Sequence, residues 1–331
     1  MAWLTFIGSS VIIVLAAIKL AEYGDVIAIR TRLGGMFIGA LLLAGATSLP
    51  ELVTAISSIQ QTVPNLAAGN FFGSNMVNML LLAVLDLVNY RARILRQVAF
   101  THALTVALAS LLASLVVFFV LANIPGQIGW IGLDSLIVIL AYIGGVRLIQ
   151  HQGQQSGAAI EPTHEPVPTH VPSLKRALFG FGAATAVLII VVPYLVSSSA
   201  EIATITGLGT GFVGAVLVAF VTSLPELVAA LAAVRLGAFD MAVGNLFGSN
   251  VFNMFALALV DVFYTQGRFL SAIDPSFALV GLLGLLLTNM ALVGNLARLE
   301  RRFLFVELDA LLIIIVYLGG VVLLYSRGVG M

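Results

Sequence analysis

Residues 44–53 read AGATSLPELV, and residues 219–228 read AFVTSLPELV. Each copy carries a Pro-Glu pair inside a mostly apolar run, and the run around Pro50 and Glu51 extends from Leu41 to Ile59. A bilayer core requires about 20 apolar residues per helix, so both glutamates are predicted to lie near the middle of a membrane-spanning helix. An ionised side chain at that depth is costly and marks a functional site by default.

The two copies belong to an internal repeat with a constant offset, in which Thr47 aligns with Thr222 and every later pair keeps the same spacing. Between residues 47–86 and 222–261, 20 of 40 aligned pairs are identical. The motif GNxxGSNxxN at 69–78 recurs at 244–253. Shared apolar composition alone does not produce this identity, so the chain contains two copies of one structural unit.

The composition excludes several classes of protein. Of 331 residues, 60% are hydrophobic and 9% are charged, with a mean hydropathy of +1.12, whereas soluble domains carry about 25% charged residues. The chain contains no cysteine, which excludes disulfides and thiolate metal sites. Its formal net charge is zero, which argues against nucleic acid as a partner. The expected partner is the lipid bilayer, with no obligate protein partner.

The hydropathy pattern predicts an all-α polytopic membrane protein with ten transmembrane helices. Each half has five spans, an odd number, so the second unit must enter the membrane from the opposite side and the repeats are inverted. We expect a first five-helix repeat over residues 1–150, a flexible linker over 151–172 and a second repeat over 173–331. The spans are predicted at residues 3–21, 33–60, 66–88, 97–122, 127–149, 174–198, 206–234, 241–262, 271–297 and 304–326.

The distribution of positive charge predicts the orientation of these spans. When the connections are assigned alternately to the two membrane faces, thirteen of the fifteen Lys and Arg residues fall on one face, and only Arg268 and Arg327 on the other. The positive-inside rule makes the richer face cytoplasmic. We therefore expect a multi-pass protein of the cell membrane with both termini outside and the central linker in the cytoplasm.

Oxygen-bearing side chains accompany both glutamates. Pro50 and Pro225 supply no backbone N–H, which frees carbonyl groups in the preceding turn. The glycines at 69, 73, 244 and 248 are expected to serve helix packing, and interhelical hydrogen bonding is the alternative role for the Ser and Asn side chains. The candidate oxygen donors beside Glu51 and Glu226 are Thr47, Ser48, Ser74 and Asn78 in the first repeat and Thr222, Ser223, Ser249 and Asn253 in the second.

Carboxylate, hydroxyl, amide and carbonyl oxygens without sulfur or imidazole suit a hard cation. Calcium takes six to eight such oxygens, and two glutamates neutralise one divalent ion or two monovalent ions. We therefore expect a transporter rather than an enzyme, with transported ions and no cofactor.

The paired TSLPELV and GNxxGSN motifs, together with the inverted ten-span plan, resemble the calcium/cation antiporter superfamily, and specifically its sodium/calcium exchanger branch. The resemblance implies exchange of calcium for sodium by alternating access, with calcium held by Glu51, Glu226 and the backbone oxygens of Thr47 and Thr222. It implies sodium sites built from Ala44, Thr47, Ser48, Ser74 and Glu51 in one repeat, and from Ala219, Thr222, Ser223, Ser249 and Glu226 in the other.

Two departures from the family pattern affect these expectations. The glycine usual before the Thr-Ser pair is replaced by Ala46 and Val221. Many sodium/calcium exchangers carry an aspartate where this chain has Asn253, and an amide does not titrate. A calcium/proton antiporter, or one for another divalent cation, is therefore the alternative.

Two further classes compete with a transporter. An intramembrane hydrolase could use Glu51 and Glu226 as general acid and base, but the sequence offers no nucleophile beside a histidine. A channel could also hold two carboxylates at the midplane, but inverted repeats favour alternating access over an open pore.

Overall fold

The computed structural model of this protein describes residues 1–31, 43–89, 102–155, 172–297, 302–303 and 306–330. Within those ranges, nine helices or helical segments are long and apolar enough to cross a membrane. They correspond to nine of the ten predicted spans. The remaining predicted span is the second, over 33–60. It begins at residues that lie outside the described ranges, and its described part consists of two helical segments, the first of which begins at residue 43. The fold is therefore that of an all-α polytopic membrane protein, as predicted.

In its described residues, the first repeat has six helices and one short β-hairpin. Its helices are α1 (Ala2–Thr31), α2 (43–47), α3 (Leu49–Gln60), α4 (Pro64–Val88), α5 (Ala103–Ala122) and α6 (Leu133–Gln155), and its strands are β1 (Gln127–Ile128) and β2 (Ile131–Gly132). Helix α6 continues through residues 151–155 of the predicted linker, and residues 156–171 lie outside the described ranges.

The second repeat follows the same order, and the seventh span of the chain, which belongs to this repeat, is divided into several segments. Its helices are α7 (Leu174–Thr206), α8 (Thr210–Val213), a π-helical turn (Gly214–Val218), α9 (Ala219–Thr222), α10 (Leu224–Arg235), α11 (Phe239–Leu259), a 3₁₀ turn (Val260–Val262), α12 (Phe269–Ala272), α13 (Phe277–Ala297) and α14 (Leu308–Ser326), and its strands are β3 (Arg302–Phe303) and β4 (Val306–Glu307).

The offset that aligns Thr47 with Thr222 recurs in the boundaries of these elements. Helix α3 spans Leu49–Gln60 and α10 spans Leu224–Arg235, so both ends are displaced by that same offset. Helices α4 and α11 begin at Pro64 and Phe239, which the offset also pairs. The sequence repeat is therefore also a repeat of secondary structure.

The two antiparallel hairpins are absent from the helical prediction. Gln127 pairs with Gly132 in the first, and Arg302 pairs with Glu307 at the equivalent place in the second. In the first hairpin Gly129 adopts φ +66°, a conformation that glycine adopts without steric cost. Each strand has only two residues, so hydropathy averaged over a whole span does not detect it.

The first hairpin is joined to the second repeat by polar contacts. The backbone N–H of Gly132 donates to Asp261 Oδ2 over 2.7 Å, and Trp130 Nε1 donates to the carbonyl of Val262 over 3.1 Å. Arg268 Nη1 lies 3.2 Å from Asp134 Oδ2. Asp134 and Asp261 thus serve contacts between the repeats, away from the two glutamates.

Helices α4 and α11 are the most thoroughly buried of the membrane-spanning helices within the described part of the chain. A Cβ atom added at Gly69 would lie 2.3 Å from the carbonyl oxygen of Gly211, and one at Gly73 would lie 2.2 Å from that of Ala215. Only glycine allows helix α4 to come this close to the backbone of the seventh span. The packing role predicted for Gly69 and Gly73 is confirmed by this geometry.

Candidate functional site: two buried glutamates

Both glutamates lie in the first turn of a helix that restarts in the middle of its span. Ser48 (φ −88°, ψ 8°) and Ser223 (φ −87°, ψ 0°) interrupt the second and seventh spans, and a proline occupies the start of the helix that follows each serine. The N-terminus of a helix carries a partial positive charge and favours anions. The paired TSLPE motifs therefore place each carboxylate where the broken helix partly offsets the cost of burying it.

The segment before Glu226 contains a second irregularity, the π-helical turn Gly214–Val218. π-Helical turns are rare in proteins as a whole, and those that occur are frequently found at functional sites. The equivalent residues of the first repeat are 39–43, and 39–42 lie outside the described ranges. The seventh span thus reaches the site as α8, the π turn and α9 before it breaks at Ser223.

Glu226 receives hydrogen bonds from both repeats. Ser48 Oγ donates to Glu226 Oε1 over 3.0 Å, and Ser249 Oγ donates to the same oxygen over 3.2 Å. Its other oxygen, Oε2, is buried and has no hydrogen-bond partner among the described residues. Because Ser48 belongs to the motif of the first repeat, this contact places the two TSLPE motifs in one polar cluster.

Glu51 has the corresponding environment with one contact fewer. Ser74 Oγ donates to Glu51 Oε1 over 3.4 Å, which matches the contact of Ser249 with Glu226. Glu51 Oε2 and the hydroxyl of Ser223 are both buried and unpartnered among the described residues. Ser223 is the repeat counterpart of Ser48, so the cluster departs from two-fold symmetry at this position.

The two threonines contact helices of the opposite repeat. Thr222 Oγ1 donates to Asn70 Oδ1 over 3.0 Å, and Thr47 Oγ1 lies 3.5 Å from Asn245 Oδ1. The sequence prediction named both threonines but omitted the two asparagines. Their signal was visible, because Asn70 lies four residues before Ser74 and therefore on the same helix face.

A second pair of cross-repeat contacts joins four amide side chains. Asn78 Nδ2 donates to Asn250 Oδ1 over 2.9 Å, and Asn253 Nδ2 donates to Asn75 Oδ1 over 3.1 Å. Asn75 and Asn250, which the sequence prediction also omitted, therefore orient the predicted residues. The remaining oxygens, Oδ1 of Asn78 and Oδ1 of Asn253, are buried and unpartnered among the described residues.

The structure brings every predicted site residue into this buried region, including Ala44 and Ala219. The carbonyl of Ala44 accepts from Ser48 N over 2.9 Å, and that of Ala219 accepts from Ser223 N over 3.0 Å. The predicted residues all have an exposed fraction of 0%: Ala44, Thr47, Ser48, Glu51, Ser74, Asn78, Ala219, Thr222, Ser223, Glu226, Ser249 and Asn253.

The electrostatics of the cluster require a cation or protons. Neither glutamate has a Lys, Arg or His within salt-bridge distance in the described part of the chain. A buried, unpaired charge is strongly unfavourable, and here two carboxylates share one cluster. One oxygen of each glutamate and one of each of Asn78 and Asn253 have no donor. Carboxylate and amide oxygens are ligands of the type that a hard cation such as calcium takes.

The lone histidine of the fourth predicted span lies away from this cluster. His102 Nε2 is 3.7 Å from Asp240 Oδ1, and the histidine ring fills the space that a Cβ atom at Gly244 would occupy. The described ranges contain no group of three or more His, Cys, Asp or Glu side chains suited to hold a metal ion. The two-glutamate cluster therefore has the best-supported chemistry in this part of the protein.

Comparison with known proteins identifies the family of this chain. The family described as sodium/calcium exchanger protein matches residues 1–149 and 176–326. The putative antiporter CaxA of Alkalimonas amylolytica is 26% identical over 323 residues, which cover 96% of each chain.

Two solved structures share the fold. The H⁺/Ca²⁺ exchanger CAX superposes with a TM-score of 0.64 at 16% identity, over 99% of this chain and 89% of its own. The sodium-calcium exchanger NCX_Mj superposes with a TM-score of 0.56 at 18% identity, over 97% of each chain. Because the family match extends over both repeats, this chain is a membrane antiporter that belongs to the sodium/calcium exchanger family of the calcium/cation antiporter superfamily.

Proposed function

We propose that this protein exchanges calcium for sodium across the membrane by alternating access, with the ions bound between Glu51 and Glu226. The observation that carries this proposal is the pair of fully buried carboxylates, one from each repeat, within a cluster of hydroxyl and amide groups. Since each repeat supplies one carboxylate, the ion would be bound at the contact between the repeats, which is where transporters with inverted repeats place their substrate.

Calcium is the cargo that this oxygen set favours. The two glutamates offer two negative charges, which match one divalent ion. Calcium accepts six to eight oxygens in a flexible arrangement, whereas magnesium requires near-ideal octahedral geometry and retains its waters. The unpartnered oxygens of both glutamates and of two asparagines supply ligands without breaking a hydrogen bond between described residues.

Exchange follows from the cost of an empty site. Two buried carboxylates without a cation are strongly unfavourable in the occluded protein, so the loaded site changes access more readily than the empty one. One calcium, or sodium ions in its place, relieves the repulsion. The flux of one ion is thereby coupled to the flux of the other in the opposite direction.

Sodium is the proposed counter-ion because the hydroxyls around the carboxylates provide neutral oxygens for monovalent ions. Ser48, Ser74 and Ser249 each lie within hydrogen-bond distance of a glutamate. Protons are the second candidate. Many sodium/calcium exchangers carry an aspartate at the position of Asn253, which here donates to Asn75. The site therefore lacks one titratable group of the sodium/calcium pattern, and this departure keeps protons as the alternative counter-ion.

We also propose that both termini lie outside the cell and that the linker 151–172, between the repeats 1–150 and 173–331, lies in the cytoplasm. The asymmetric distribution of Lys and Arg supports this orientation.

The test is calcium-45 uptake into proteoliposomes loaded with sodium. We expect uptake driven by an outward sodium gradient, and loss of uptake in Glu51→Gln. Glu201→Gln is the matched control, because Glu201 is an exposed glutamate near the end of α7. Uptake that follows a proton gradient and ignores sodium would establish the calcium/proton alternative.

A further inference from the structure

The face of α3 that continues beyond Glu51 is polar, whereas the equivalent face of α10 is apolar. The repeat offset aligns these two helices without a gap. The polar residues are Thr54, Ser57 and Ser58 in α3 and Gln61 directly after it, and their counterparts in the second repeat are Ala229, Ala232, Ala233 and Leu236. The flanking TSLPELV motif is identical, so this difference is confined to the segment between each glutamate and the helix end.

These side chains follow one another along the helix from the glutamate toward the membrane surface. Thr54 and Ser58 lie three and seven residues after Glu51 and so share its helix face. At a rise of 1.5 Å per residue, Gln61 lies about 15 Å along the axis from Glu51. Thr54 and Ser58 have exposed fractions of 0%, and Ser57 of 4%. A buried polar stripe therefore connects the glutamate with the end of α3.

The hydroxyl of Thr54 lacks a hydrogen-bond partner in the part of the chain that the structure describes. In transmembrane helices, Ser and Thr hydroxyls commonly donate to a carbonyl of the preceding turn. Ser58 does this, donating to the carbonyl of Thr54 over 2.7 Å, and Thr288 donates to that of Gly284 over 2.8 Å. Thr54 Oγ1 is buried and has no hydrogen-bond partner among the described residues. An unmade hydrogen bond of this kind is costly, so packing does not explain this threonine.

The end of the stripe is closed by a contact with α7. Gln61 Nε2 donates to the carbonyl of Pro193 over 3.1 Å and to Ser57 Oγ over 3.1 Å. Pro193 lies inside α7, and its counterpart in α1 is Ile18. Ile18 retains a backbone carbonyl, but the counterpart of Gln61 is Leu236, whose side chain has no donor, so the other repeat cannot make this side-chain contact. The polar contact that closes the stripe therefore occurs only at the membrane face that carries the turn between α3 and α4.

We propose that the stripe Thr54–Ser57–Ser58–Gln61 is the path by which a hydrated cation reaches Glu51 from the membrane face that carries the turn between α3 and α4. The Gln61–Pro193 contact closes the path in the conformation described. The hydroxyls replace water around the cation as it enters, and Thr54, one turn from the carboxylate, supplies the last oxygen before the site. This proposal rests on the cation transport proposed above but not on the identity of the counter-ion.

The absence of cysteine allows a direct test with single-cysteine variants. Thr54→Cys and Ser58→Cys are exposed to a small, membrane-impermeant methanethiosulfonate reagent in proteoliposomes, from each face in turn. Ala55→Cys is the matched control, because Ala55 is equally buried and belongs to the apolar core. Thr62→Cys, at an exposed position in the turn after α3, reports which face the reagent reaches.

We expect Thr54→Cys and Ser58→Cys to react about tenfold faster than Ala55→Cys, because thiol modification follows access. Reaction should occur from the face that labels Thr62→Cys, and calcium should slow it. Equal rates at positions 54 and 55, or faster reaction from the opposite face, would overturn the path. Labelling does not depend on sodium. A path confirmed without sodium-driven flux would therefore leave the path intact and refute the sodium coupling alone.

Discussion

Replacing Glu226 with glutamine should weaken cation binding without weakening the fold. Glutamine retains an oxygen that can accept from Ser48 and Ser249, which donate to Glu226 Oε1 over 3.0 and 3.2 Å. The substitution removes one negative charge and places an N–H₂ group where the unpartnered Oε2 lies. The change therefore acts on the bound cation rather than on the hydrogen bonds between the repeats.

The magnitude follows from the cost of removing one partner of a buried ion pair, about 3–5 kcal/mol. At 1.4 kcal/mol per tenfold change, this corresponds to a rise in the calcium Kd of roughly 140- to 3,700-fold. Without calcium, the variant has one buried carboxylate fewer, so its melting temperature should equal or exceed that of the parent protein. A residue that served only packing would instead lower the melting temperature.

The assay combines isothermal titration with calcium and thermal melting in detergent, for Glu226→Gln, Glu51→Gln and the exposed control Glu201→Gln. We expect both site variants to lose binding and to lose the increase in melting temperature that calcium produces in the parent protein. A Glu226→Gln variant that binds calcium normally, or that melts earlier without calcium, would refute the assignment of this carboxylate to the ion.

Three further substitutions test other parts of the site. Ser48→Ala removes a hydrogen bond to a buried carboxylate and should lower the free energy of unfolding by about 1–3 kcal/mol. Ser223→Ala loses a hydroxyl that is unpartnered among the described residues and should change the free energy of unfolding little. Equal losses for the two variants in denaturant titrations would contradict the asymmetry between these serines. Gly73→Ala places a Cβ atom 2.2 Å from a neighbouring carbonyl oxygen and should abolish the monodisperse peak in size-exclusion chromatography, while Gly144→Ala, with open space around it, should leave that peak unchanged. Asn253→Asp adds a carboxylate and should make calcium uptake depend more steeply on sodium; an unchanged sodium dependence would show that this position does not determine coupling.

Much of the fold was predictable because both the membrane and the repeat restrict it. A span of about 20 apolar residues has few alternatives to a helix in a bilayer, and the constant offset between the repeats fixes which elements are equivalent. The breaks at Ser48 and Ser223 follow from the prolines two residues later. The same offset relates the two hairpins at Gln127 and Arg302, but hydropathy averaged over a span does not report two-residue strands.

The sequence predicted which residues lie in the buried cluster but not which of them contact one another. The carboxylates, hydroxyls and two of the amides were identified from their types and spacing. Their partners were not, because the contacts of Ser48 with Glu226 and of Asn253 with Asn75 cross between repeats. Such contacts depend on how inverted helices face one another, and a repeated motif gives the same pattern whether or not its two copies touch. The unequal environments of Ser48 and Ser223 are invisible for the same reason, since both residues stand in identical motifs.

The most direct test of the central claim is equilibrium binding of calcium-45 to the purified protein in detergent, with sodium as competitor. Binding of one calcium per chain, displaced by sodium and lost in the double variant Glu51→Gln/Glu226→Gln, is the predicted result. Calcium binding that persists in the double variant would contradict the claim that the two buried glutamates hold the transported ion.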